Sequence, residues 1–214
     1  MDRRTLYNQF LQQFPIENLG NMTLEEYSNL NKDNSFCYWI ESRTSDLGSI
    51  WGGSAYKFGI FKFDKTPKQD NSKYAHDDNY SWSSRLGSTS EEAFHNVRNA
   101  IVKIANHARN AEWDEIEKIN DLWPVATWKI AFLYSNEKLL PIYKDSWLVP
   151  IASHFGLSDA KKHSRAELYN FLLEKKGDKD LYVFYDELLA IMKVENSKAK
   201  PRIWLYAPGE NACM

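Results

Sequence analysis

The stretch from Ser35 to Phe63 constrains the fold most, because two aromatic-rich runs flank a connection that contains glycines. Side chains of the first run, 36–41, and of the second, 56–61, alternate with the period of two that is typical of a strand. The connection adopts positive φ at little cost because it contains Gly48, Gly52 and Gly53. The stretch therefore predicts an aromatic β-hairpin.

The hairpin connection has two interpretations. It presents Arg43, Ser49, Trp51 and Ser54, so it either displays functional groups or is simply a long loop. The chain contains eight Trp, twelve Tyr and eleven Phe. Aromatic rings normally fill the core, but this number leaves some for stacking on a base or a peptide.

Helices are predicted on both sides of the hairpin. Apolar residues at spacings of three and four predict a helix over 4–14 that ends at Pro15, and Thr23 with Glu26 forms a capping box. The strongest helix, 88–110, begins at Ser88 as the cap and should pack on the hairpin. Its apolar face comprises Phe94, Val97, Ile101, Ile104, Ala105 and Ala108.

The second half is predicted to be mainly helical. Helices are expected over 113–122, 146–155, 164–176 and 181–194, and the apolar run 128–134 favours a buried strand. Residues 1–196 then form one α+β region, in which the aromatic hairpin lies under the long helix. Residues 197–214 are expected to be a linker and the first strand of a following domain.

The charge distribution does not favour a strong polyanion-binding surface. The formal net charge is −2, but 54–109 contains nine Lys and Arg against six Asp and Glu, whereas 110–160 contains four against eight. A basic footprint for phosphate would therefore be local, within 54–109.

Signatures of catalysis and membrane insertion are missing from the sequence. It contains no phosphate-binding P-loop, GxGxxG, HExxH or GxSxG motif, and the loop residues His76, Asp77 and Asp78 lack a second cluster to complete a metal site. We therefore expect a non-enzymatic chain without metal or cofactor. No apolar run approaches the ~18 residues of a membrane span, so a cytoplasmic protein without membrane contact is predicted.

Three segments resemble a known family. The stretches MTLEEYSNLNKDNSFCYWIESRTSDLGSIWGGSAYKFGIF, WKIAFLYSNEKLLPIYKDSWLVPIA and IWLYAPGENA are similar to the N-terminal region of bacterial McrB-like restriction ATPases. The resemblance implies a type IV, modified-DNA-specific restriction system for defence against foreign DNA. It also implies that the last segment opens a PUA-like domain of the EVE type, ahead of an AAA+ motor that works with a nuclease subunit.

The resemblance suggests two functions. In the first, the chain recognises DNA with a methylated or otherwise modified base. Trp39, Trp51 and Tyr56 would then supply ring faces for a base turned out of the helix, and the phosphates would contact Arg43, Lys57 and Lys62. The alternative interpretation of these residues places Trp39 and Tyr56 in the core and the lysines on a solvated edge.

The second function is a protein-interaction or assembly module of the same ATPase, which the acidic segment 110–160 favours.

Overall fold

The computed structural model describes residues 2–31, 34–65 and 72–198. These residues form the helices α1 (Arg3–Gln13), α2 (Leu24–Tyr27), α3 (Phe36–Tyr38), α4 (Ser90–Arg109), α5 (Trp113–Glu117), α6 (Pro124–Tyr134), α7 (Asp145–His154), α8 (Arg165–Lys176) and α9 (Leu181–Lys198). They also form the short strands β1 (Ile60–Lys62), β2 (Tyr74–His76) and β3 (Tyr80–Ser83).

The three strands form a small antiparallel sheet in the order β1-β3-β2. Trp82 of β3 lies opposite Ile60 on one side and Ala75 on the other. Its buried ring donates a hydrogen bond from Nε1 to the Gly87 carbonyl at 2.9 Å. The sheet packs on α4 and a helical half follows, which confirms the predicted α+β class.

Helix α4 carries the apolar face that the sequence predicts. All six residues of that face are buried: Phe94, Val97, Ile101, Ile104, Ala105 and Ala108. The predicted cap is wrong by one residue, because the Thr89 hydroxyl accepts from the Glu92 amide at 3.2 Å. The Glu92 carboxylate in turn accepts from the Ser88 amide at 2.8 Å. The two bonds together form a capping box between residues 88–89 and Glu92.

The first half of the predicted hairpin is wrong, since residues 36–43 are helical. The Ser35 hydroxyl caps α3 by accepting from the Tyr38 amide, and a π-helical turn, Trp39–Arg43, continues the chain. The Thr44 hydroxyl ends this turn by donating to the Trp39 carbonyl at 2.8 Å. Burial at positions 36, 37 and 40 follows the helical period, which the alternation at 36, 38 and 40 obscures in the sequence.

The second half of the hairpin is only partly correct. Residues 55–58 form a 3-10 turn, capped where the Ser54 hydroxyl accepts from the Tyr56 amide, and Gly59 at φ +77° ends that turn. The strand therefore begins at Ile60. It pairs with Tyr80–Ser83, and not with 36–41, while the predicted loop 64–79 contains the edge strand β2.

The apolar run 128–134 is helical, so its prediction as a strand is wrong. Pro124 does not end a helix but starts α6, at the first helical position, where its missing amide hydrogen costs nothing. Every residue from Ala126 to Tyr134 is buried. A helix that is covered on all sides has no amphipathic period, which is why sequence pattern could not identify it.

An aromatic cluster joins the N-terminal helices to α6. The rings of Phe10 and Tyr134 meet edge-on at 5.5 Å between centroids, and those of Phe14 and Phe36 meet at 5.1 Å. The Tyr134 hydroxyl donates to the Phe14 carbonyl at 2.9 Å, so the buried phenol is satisfied. This cluster fixes α3 against the body of the protein.

The remaining helices lie close to their predicted positions, except that the helix predicted over 113–122 is too long, because α5 ends at Glu117. The capping boxes of Thr23 with Glu26 and of Ser164 with Glu167 both form, and Gly177 follows α8. Helix α9 continues to Lys198, and the predicted strand beyond it lies outside the described residues. In the part of the chain that the structure describes, no helix is long and apolar enough to cross a bilayer.

Two arginines of α1 bind the start of α9. Arg3 donates two hydrogen bonds to the Asp186 carboxylate at 2.8 and 2.9 Å, and Arg4 donates to Asp180. These guanidinium groups hold the pKa of Asp180 and of Asp186 below the usual 3.8. The contribution of these ion pairs to the stability of the α1–α9 contact therefore depends on pH.

We expect acid to remove this contribution to stability. Because the folded-state pKa of each aspartate is lowered, the contribution is present above about pH 4 and disappears as the pH falls through the folded values. The difference in melting temperature between the protein and Asp180→Asn/Asp186→Asn should be measured at pH 7 and pH 3. It should be smaller at pH 3; an equal difference at both pH values would contradict the linkage.

Candidate functional site

Residues 44–54, here called the Trp51 loop, connect the π-helical turn to the 3-10 turn before β1. Trp51 is 75% exposed, more than the other exposed large apolar side chains of the described residues, which are Leu30, Trp123, Val183 and Val194. An indole ring this exposed is available for stacking on a base or for an apolar contact with a partner. The Trp51 side chain is therefore the clearest candidate for a binding contact.

Lys129 of α6 holds the first part of the Trp51 loop from inside. Its side chain is fully buried, and its Nζ donates to the carbonyls of Thr44, Leu47 and Gly48 at 2.7–2.8 Å. Burial lowers the pKa of Lys129, but three acceptors require three N–H donors, which only the ammonium form supplies. The three carbonyls therefore oppose the shift in pKa and favour the charged lysine.

Lys57 holds the second part of the loop. Its side chain is 3% exposed, and its Nζ donates to the Ile50 carbonyl at 3.0 Å, to the Gly52 carbonyl at 2.8 Å and to the carboxylate of Glu41. All three ammonium hydrogens are thus used inside the protein. This geometry gives Lys57 a structural role and leaves it no hydrogen for a phosphate.

Tyr143 completes the set of inward contacts. Its buried hydroxyl donates to the Leu47 carbonyl at 2.6 Å, so that this carbonyl accepts from both Tyr143 and Lys129. Five carbonyls of the loop, at 44, 47, 48, 50 and 52, therefore point into the protein toward fixed donors. The main chain on either side of Trp51 is held in place before any ligand binds, which lowers the entropic cost of binding.

Two of the predicted ring faces are core residues. Trp39 is 8% exposed and packs against Phe10 and Phe14. Tyr56 is 5% exposed; its hydroxyl shares a 2.7 Å hydrogen bond with Ser81, and its ring stacks on Tyr74 at 3.6 Å. Of the three predicted rings, only that of Trp51 is open to a ligand as the protein stands.

The other two predicted cations are at the surface. The exposed Arg43 guanidinium lies 5.2 Å from the centroid of the Trp39 ring and has no ion pair within the described residues. Lys62 pairs with Glu25 at 2.6 Å and lies over the Tyr80 ring. Lys62 and the Tyr80 hydroxyl together lower the pKa of Glu25. Arg43 is therefore free to contact a phosphate, whereas Lys62 would first have to leave Glu25.

One cavity lies away from the Trp51 loop, and three of its charged residues bind one another. It measures about 480 Å³ and is lined by residues that include Glu117, Asp145 and Arg165. Arg165 pairs with Asp145 at 2.6 Å, and Glu117 accepts from the Arg165 amide at 2.8 Å. Within the described ranges, no three His, Cys, Asp or Glu side chains are grouped to bind a metal.

Sequence reasoning missed Lys129, although the sequence contained a signal. Lys129 is the one charged residue in the apolar run 128–134. A lysine in such a run needs buried acceptors, because an unpaired ammonium inside a protein is strongly unfavourable. Its acceptors lie more than eighty residues earlier in the chain, so they could not be identified from the run itself.

Comparisons of this chain with protein-family models, with curated proteins and with solved structures found no match. The resemblance to McrB-like ATPases therefore stays a prediction.

Proposed function

We propose that this chain is a DNA-recognition module that contacts DNA through the Trp51 loop, with specificity for a modified base. The observation that carries the proposal is the 75% exposure of Trp51 on a main chain that buried donors hold in place. An indole ring stacks on any base, and a fixed loop loses little entropy when it does so. The resemblance to McrB-like ATPases supplies the expectation of modified DNA and of a partner motor and nuclease.

Two surface cations, Arg43 and Lys62, are the candidates for phosphate contacts. Arg43 precedes the loop, is exposed and has no ion pair in the described part of the chain. Lys62, at the end of β1, can contribute a phosphate contact once the phosphate replaces its partner Glu25. Base contacts would then come from Trp51, while phosphate contacts orient the duplex.

Substitution of Trp51 by Ala tests the proposal. We expect the affinity for duplex DNA to fall about tenfold, because stacking of one base on an aromatic ring contributes ~1–3 kcal/mol and ~1.4 kcal/mol corresponds to tenfold. Fluorescence anisotropy should be measured with unmodified, cytosine-methylated and adenine-methylated duplexes, each at two salt concentrations.

The matched control is Trp123→Ala, which removes a partly exposed tryptophan outside the loop. It should leave the DNA affinity unchanged. If Trp51→Ala melts like the unaltered protein and binds each duplex with the affinity of the unaltered protein, the proposal of DNA recognition through this loop is wrong.

A protein-interaction module is the second candidate, because an exposed tryptophan on a fixed loop also suits a hot spot of a protein interface. The exposed Val183 of α9 offers a further apolar contact. Salt separates the two functions: DNA affinity falls steeply as salt is added, whereas an apolar protein interface changes little.

A further inference from the structure

A second cavity lies directly beside the Trp51 loop. It measures about 220 Å³ and is bounded by Ser45 and Ser49 of the loop, by Lys144 and Trp147 at the start of α7, and by Tyr185 of α9. Three separate parts of the chain therefore meet around it. We call it the Lys144 cavity.

Contacts inside the protein hold the wall of the Lys144 cavity in place, as they do the Trp51 loop. Gly48 lines it at φ +85°, close to the Pro141 carbonyl, and Lys129 binds the Gly48 carbonyl from behind at 2.7 Å. Tyr143, which also lines the cavity, binds the Leu47 carbonyl. Walls fixed by internal contacts are usual at small-molecule sites, which are largely pre-formed.

Lys144 and Tyr185 place side-chain hydrogen-bond donors in the lining. Lys144 is exposed and, among the described residues, its ammonium has no carboxylate partner. Burial raises the pKa of Tyr185 to about 12, so its hydroxyl is protonated at neutral pH. Asp46 and Asp186 lie near enough to contribute to the raised pKa of Tyr185, but neither lines the cavity, and Asp186 is paired with Arg3. A ligand with several acceptor atoms and a negative charge matches this lining better than a cation does.

The volume of the cavity and the aromatic ring in its lining restrict the class of ligand further. A volume of about 220 Å³ is below the ~300 Å³ at which pockets for drug-sized ligands begin, so one ring system fits. The half-buried ring of Trp147 offers an aromatic surface at the edge of the cavity. A single heterocyclic base with its phosphate has the required ring, acceptor atoms and charge.

We propose that the Lys144 cavity receives one unstacked base of the DNA that the Trp51 loop contacts. Trp147 would lie against the base, and Lys144 would bind its phosphate. The inference rests on the proposed function and deepens it. It also replaces Trp39 and Tyr56, which are buried in the core, with rings that a ligand can reach.

The experiment compares a matched duplex with the same duplex carrying one mismatched pair, whose bases unpair at lower cost. The protein should bind the mismatched duplex about tenfold more tightly. Trp147→Ala and Lys144→Gln should each remove most of that preference. The control Lys161→Gln, a lysine at the larger cavity, should retain it. 5-Iodouracil placed at the mismatch should photo-crosslink to the peptide that contains Trp147.

The outcomes separate this inference from the proposed function. If Trp51→Ala weakens binding while folded Trp147→Ala and Lys144→Gln keep the mismatch preference, the inference is overturned and the proposed function stands. Crosslinking to another part of the chain also overturns the inference. If no duplex binds at all, both are wrong. Thermal melting of each variant excludes misfolding, and Lys144→Gln is the safer variant because Lys144 is exposed.

Discussion

Replacement of Lys129 by Met is expected to lower the free energy of unfolding by about 2–4 kcal/mol, because three hydrogen bonds from a buried ammonium are lost and one buried carbonyl is left without a donor. The methionine fills a similar volume but donates no hydrogen bond. The Gly48 carbonyl then loses its Lys129 donor inside the protein, whereas the Thr44 carbonyl retains the Leu47 amide at 3.0 Å and the Leu47 carbonyl retains Tyr143. Each buried carbonyl left without a donor costs about 1–3 kcal/mol.

Urea unfolding followed by circular dichroism measures this loss. Lys103→Met is the matched control, because Lys103 is exposed in the middle of α4 and the two residue types have similar helix propensities. The control should stay within about 0.5 kcal/mol of the unaltered protein. A loss below about 1 kcal/mol for Lys129→Met would show that the loop carbonyls find other partners, or water, and that Lys129 does not anchor the loop.

The same variant tests whether the anchored loop contributes to binding. If Lys129→Met still folds at low temperature, the Trp51 loop loses its inner contacts while Trp51 itself is unchanged. Binding then has to order the loop, so DNA affinity should fall although no contact residue was altered.

Substitution of Gly48 by Ala should destabilise the protein by about 3 kcal/mol, from two separate causes. A residue with a Cβ at φ +85° and ψ 120° is in a sparsely populated backbone conformation, which costs about 1–3 kcal/mol. The new Cβ would also lie 2.3 Å from the Pro141 carbonyl oxygen and 2.7 Å from the Tyr143 ring, so the chain has to move. Overpacking of this kind costs about 1–3 kcal/mol.

Gly52→Ala separates the two causes. Gly52 has φ +92° in the same loop, but nothing lies within 4 Å of its added Cβ, so only the backbone cost applies. We expect a loss of about 1–2 kcal/mol for this variant and a larger one for Gly48→Ala. Equal losses in urea unfolding would show that the segment around Pro141 shifts freely and that the wall of the Lys144 cavity is not fixed.

Local contacts explain which helices the sequence predicted. The boxes at Thr23 with Glu26 and at Ser164 with Glu167 join residues three apart, so both partners of each bond appear together in the sequence. The α4 face was predicted because that helix is covered on one side only, which leaves a visible period of 3.6. The two segments with the wrong element type lack such a period: 36–41 fits both a helix and a strand, and α6 is buried all round.

The sequence by itself determined the α+β class, most helix positions and the placement of Trp51 in a glycine-containing loop. Only the tertiary structure decided that Trp39, Tyr56 and Lys57 are buried while Trp51 is exposed. It also decided that Lys129 holds carbonyls 81 to 85 residues away. The physical reason is that capping and periodicity act between near neighbours in the chain, whereas burial and the donors of a loop depend on segments that meet only in the folded protein.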